Sequence, residues 1–68
     1  MQYGYVKMWD ATKGFGFIVT EDEDELFVHA NDLDASIKGK RLKAGQKVAF
    51  DIRQEFKGDK AVNVRIVR

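Results

Sequence analysis

The chain has 68 residues, 44% of them apolar and 34% charged, with no cysteine, no proline and a formal net charge of +1. That length holds one domain, residues 1–68, near the size at which a single core only just suffices. The composition excludes a disordered tail, a disulfide-stapled scaffold and any thiolate metal site; with no run of eighteen apolar residues and no charged-then-apolar leader, the expectation is a cytoplasmic protein without a membrane partner.

From Tyr3 to Trp9 the residues are mostly aromatic or β-branched, which predicts a strand, and Asp10 to Gly14 reads as the turn of a hairpin. A second strand is predicted from Phe15 to Thr20. Glu21, Asp22, Glu23, Asp24 and Glu25 form an acidic block that lacks the glycine and spaced ligands of a calcium loop, so it is read as a solvated turn with no metal. Leu26 to Ala30 makes a third strand. Residues 31–45 make a longer connection broken at Gly39 and Gly45, with one short helical turn expected near Asn31 to Ser36 and a basic block of Lys38, Lys40, Arg41 and Lys43. Lys47 to Glu55 alternates Val48, Phe50 and Ile52 against Ala49, Asp51 and Arg53, and Phe56 to Asp59 turns the chain into a last strand through Val62, Val64 and Ile66. Five short strands with almost no helix predict an all-β fold: a five-stranded antiparallel Greek-key barrel of the OB type, closed because closure removes the sheet edges.

Period-two parity assigns Val6, Ile18, Leu26, Val28, Val48, Phe50, Ile52, Val62, Val64 and Ile66 to the interior. Phe15 and Phe17 then share the opposite face of the second strand, and Phe27 and His29 that of the third. No segment is long enough to cover these rings, so a face open to solvent is expected, and such a face marks a binding surface. Planar rings accept nucleobases by stacking, at roughly 1–3 kcal/mol per base, and Lys7 and Lys13 stand where phosphates would pass. The net charge is low for such a ligand, but acids and bases sit in separate blocks, so the surface is dipolar. One histidine and carboxylates gathered in one loop supply no nucleophile and base, so the chain is read as a binder and not an enzyme. The runner-up is a small barrel that holds a peptide on its aromatic face.

Lys13-Gly-Phe-Gly-Phe-Ile18 and Leu26-Phe-Val-His-Ala30 resemble, at matching separation, the two ribonucleoprotein motifs of the cold-shock domain family. Gly4-Tyr-Val-Lys-Met-Trp-Asp10 resembles that family's opening strand, and Gly45-Gln-Lys-Val-Ala-Phe50 and Ala61-Val-Asn-Val64 resemble its fourth and fifth strands, so the likeness covers essentially the whole chain. It implies a monomeric barrel that needs no cofactor. Such a barrel binds single-stranded RNA and DNA with little sequence demand, melts RNA structure as an RNA chaperone, and serves cold or stress adaptation or the control of transcription and translation. By position it implies a binding face of Lys7, Lys13, Phe15, Phe17, Phe27 and His29, with Lys57 in the last hairpin as a looser match. Met8 and Trp9 replace the family's Trp-Phe pair, Ala30 stands where an aromatic is common, and Ile37 is the nearest substitute for a loop phenylalanine. Three stacking positions are therefore altered, which implies lower affinity or a changed base preference.

Overall fold

The apolar alternation resolves into five strands: β1 (Gln2–Asp10), β2 (Phe15–Thr20), β3 (Glu25–His29), β4 (Lys47–Glu55) and β5 (Gly58–Ile66). The structure, a computed structural model, describes residues 1–67. The strands close into a barrel in the order β1-β2-β3-β5-β4. Four seams are antiparallel, as expected, but the closing seam between β3 and β5 is parallel, through Phe27 opposite Lys60, and a bridge of Leu33 with Val64 continues it. The parallel seam arises because the long connection after β3 delivers the β4–β5 hairpin with β5 running in the direction of β3. That connection carries two short 3-10 turns, Ala30–Asp32 and Lys38–Lys40, where the sequence predicted one turn near Asn31 to Ser36.

Eight of the ten residues expected inside are buried, from Val6 through Val64, with Phe50, Ile18, Val28, Val48 and Val64 the largest fully enclosed side chains. Ile52 and Ile66 are corrections, at 41% and 37% exposed. The register of β4 on β5 slips between Ala49 and Asp51, and Asn63 takes a left-handed φ of 51° on the other side of the slip. Beyond it β4 runs out past the barrel while β5 stays in it through Lys60 and Ala61, and every residue from Ile52 to Asp59 is exposed. Ala49 beside the slip and Ala61 opposite Ile52 are buried instead. Leu33, Ile37 and Leu42 of the long connection are buried too and join the core cluster. Each such side chain contributes about 1.5–3 kcal/mol by leaving water, so the loop is pinned without regular structure.

The tight turns are held by side chains of their own. The Asp10 carboxylate accepts the backbone N–H groups of Thr12 (3.0 Å) and Lys13 (3.1 Å), and Gly14 completes the turn at a φ of 72°. The Thr20 hydroxyl accepts the N–H groups of Asp22 (3.2 Å) and Asp24 (3.1 Å), so the acidic block is an ordered, exposed turn. At the parallel seam Lys60 bridges Asp32 (3.2 Å) and Glu55 (3.3 Å). The hydrogen bonds it donates to Asp32 and then Glu55 hold its pKa above the ordinary lysine value.

Candidate nucleic-acid interface

Residues directly opposite one another on antiparallel strands share a face, and the registers lay out two rows across β1, β2 and β3. Met8 faces Phe17 and Phe17 faces Phe27; Asp10 faces Phe15 and Phe15 faces His29. The rings touch: Phe15 and Phe27 lie 5.4 Å apart between centroids at a 30° tilt, and Phe17 meets Phe27 edge to face at 5.9 Å. Aromatic pairs favour these offsets because the positive ring edge meets the negative face. The mutual packing leaves Phe15, Phe17 and His29 half-buried, while Phe27 is 37% and Met8 39% exposed. A sheet of rings is thus uncovered on the outside of the barrel.

Trp9 does not lie in these rows. One extra residue, Lys7, interrupts the pairing of β1 with β2 between Val6 and Met8. Such a bulge reverses the alternation beyond it. Met8 therefore joins Phe17 on the outer face, and Trp9 pairs with Gly16, beside buried Val28, and packs against the core. Of the two residues that replace the family's Trp-Phe pair, Met8 stands on the open face and the indole lies half-buried beneath it. Replacing Met8 by Trp puts a rigid ring where a flexible thioether now stands, with Trp9 turned away and no competitor for the space. Met8→Trp is expected to tighten binding of oligo-dT by about 1 kcal/mol, and an unchanged or larger dissociation constant in a normally folded variant would count against that geometry.

The cations around the rings are in different states. Lys13 is exposed in the β1–β2 turn and Lys57 in the β4–β5 turn, neither in an ion pair among the described residues. Lys7 is bound to Glu25 at 3.0 Å. A surface pair of this kind is worth about 0–1 kcal/mol, so parting Lys7 from Glu25 costs little. Lys60 is engaged by its two carboxylates and is the least available. The Asp10 carboxylate lies at the end of the Phe15 row, where its charge is occupied by the two turn N–H groups. His29 Nδ1 accepts the Asn31 N–H at 3.2 Å, which leaves the Nε2 position as the donor of the neutral ring.

A cleft of about 400 Å³ lies between the ring face and the projecting hairpin, lined by Phe17, Phe27, Glu55, Lys57, Asp59 and Lys60 among others. It brings Lys57, the looser match of the sequence reading, beside the rings. At the tip of that hairpin the Phe56 ring is 95% exposed, a residue that the pattern of turn and strand identified only as part of a turn.

A closed five-stranded barrel that leaves a sheet of rings uncovered, with free lysines at its margin, has the shape and chemistry of a single-stranded nucleic-acid binder. The comparisons with known proteins agree. The 'Cold-shock' DNA-binding domain family matches residues 2–67. Cold shock protein CspC of Bacillus subtilis is 45% identical over 65 residues, covering 96% of this chain and 97% of its own. The major cold shock protein of Streptococcus pyogenes serotype M6 is 45% identical over 64 residues, 94% of each chain, and a cold shock-like protein of Aquifex aeolicus is 44% identical over 66 residues, 94% of this chain and 91% of its own. The chain belongs to the cold-shock domain family, whose barrel is of the OB type and whose members bind nucleic acid and are not enzymes.

Proposed function

We propose that this chain, as one domain and a monomer, holds single-stranded RNA or DNA on the rows Met8–Phe17–Phe27 and Phe15–His29. Lys13, Lys57 and a Lys7 released from Glu25 take the phosphates. The observation that carries the reading is the mutual register of Met8, Phe17 and Phe27, which sets three apolar platforms side by side on an uncovered outer face. Stacking is indifferent to which base supplies the ring, so little sequence preference follows. A protein that competes for unpaired bases opens RNA structure, which supports an RNA-chaperone role in cold or stress adaptation, exercised in the cytoplasm where RNA is made and translated.

Salt tests the ionic half of this reading. Three lysine–phosphate contacts on a strand of about six nucleotides predict that log affinity falls with log salt at a slope near −2, from roughly 0.7 per single-strand contact. Titrations of oligo-dT and oligo-U across salt, followed by Trp9 fluorescence, measure it. A slope indistinguishable from zero would leave the lysines without a phosphate.

A further inference from the structure

We propose that the connection between β3 and β4 carries a second, purely ionic surface that takes the phosphate backbone of strands longer than the aromatic face covers. It rests on the reading of that face given above and extends it. Four of the chain's twelve Lys and Arg residues, Lys38, Lys40, Arg41 and Lys43, fall within residues 35–46, a stretch with no acidic residue, leaving eight bases against eleven acids elsewhere. All four are exposed, and none is in an ion pair among the described residues. Three of them, Lys38, Arg41 and Lys43, rim a cleft of about 750 Å³ over Ile37, Leu42 and Ile66, and no acidic side chain lines it. Asp34, which precedes the stretch, is tied to the Ser36 N–H at 3.0 Å. Hydrogen bonds from Ser36, with smaller contributions from Arg65 and Lys40, hold its carboxyl below its ordinary pKa.

Like charges gathered this closely repel one another, yet burial of Ile37 and Leu42 fixes the backbone that bears them. The positive field is therefore preorganised for an anion. The cleft offers no aromatic ring to stack a base, and its donors are ammonium, guanidinium, hydroxyl and amide groups, so a phosphodiester backbone fits it and base identity does not matter. The site is also separate from the first. It shares no residue with the cleft beside Phe17 and Phe27. Lys60 lines one and Ile66 the other, six residues apart on β5, roughly 20 Å at about 3.3 Å per residue. A strand seated on the rings must continue past the barrel to reach it, so only longer strands use both.

Strand length is the test. Oligo-dT of about 6 nucleotides lies at the short end of what one such barrel covers, and about 20 lies beyond it. The variant Lys38→Gln/Arg41→Gln/Lys43→Gln changes exposed side chains only and spares Lys40, whose Nζ donates to the Leu33 carbonyl at 3.4 Å. For the long strand it is expected to lower affinity about tenfold to a hundredfold at 0.1 M salt and to flatten the salt slope by about 2, with binding of the short strand unchanged. Unchanged binding of the long strand, or equal loss for both lengths, would overturn the second surface. Poly-glutamate that binds the parent but not the variant, with the long strand retained by both, would make the loop a protein-docking face and overturn it equally. Phe27→Ala measured alongside separates this proposal from the reading beneath it. If that variant binds the short strand as tightly as the parent, the aromatic face itself is misassigned.

Discussion

Phe50→Ala is expected to destabilise the domain by about 3–5 kcal/mol, whereas Phe17→Ala and Phe27→Ala are each expected to leave it folded and to weaken oligo-dT binding by about 1–3 kcal/mol. The contrast comes from which side of the sheet each ring occupies. Phe50 is fully buried in the core, and truncating such a ring costs about 3–5 kcal/mol in lost transfer energy and cavity. A chain of this length has about 3–10 kcal/mol in all, so between about a third and all of its stability goes. Phe27 makes its two ring contacts on the outer face, where each pair contributes about 0.5–1.5 kcal/mol and no cavity forms inside. Denaturant melts and oligo-dT titrations on the same three variants measure both halves. A Phe27→Ala protein that melts like Phe50→Ala, or one that stays folded and binds undiminished, would contradict the division of faces.

How much of this was legible beforehand depended on whether pairing disturbed the local period. β2 and β3 pair without interruption from Phe15 opposite His29 to Val19 opposite Glu25, so strict alternation placed Ile18, Leu26 and Val28 inside and the rings outside. β1 is different. Alternation from Val6 would put Met8 inside and Trp9 outside, and the bulge at Lys7 reverses both. The Val6 N–H donates to the Gln46 carbonyl and the Gly45 N–H to the Val6 carbonyl, so the loop that binds this turn of β1 is remote in sequence and leaves no mark on the local pattern. The slip between β4 and β5 hid the exposure of Ile52 in the same way. Leu33, Ile37 and Leu42 escaped because an irregular loop has no period to read, although its apolar residues are buried as deeply as those of the strands.

The same bulge sets Gly16 hard against β1, and its replacement by Ala should cost about 3 kcal/mol or more. Gly14 and Gly16 flank Phe15 but are glycines for different reasons. Gly14 needs its positive φ of 72°, and a Cβ there would meet the Ala30 Cβ at an ordinary 3.6 Å. Gly16 has no such φ, but a Cβ there would lie 2.2 Å from the Met8 carbonyl oxygen, 2.9 Å from Trp9 Cε3 and 3.0 Å from Trp9 Cα. Overpacking typically costs about 1–3 kcal/mol when side chains can yield. Here two of the three neighbours are backbone atoms of β1, so relief requires the β1–β2 seam to part, which also carries Met8 away from Phe17. Stability and binding are therefore expected to fall together, unlike in Phe27→Ala. At about 4–8 °C per kcal/mol for a domain this small, the melting midpoint should drop by about 12–24 °C, with a changed Trp9 emission because the indole lies against the new methyl group. A midpoint within a few degrees of the parent would mean that the seam opens freely and that close packing of Trp9 on Gly16 does not hold Met8 in the row with Phe17.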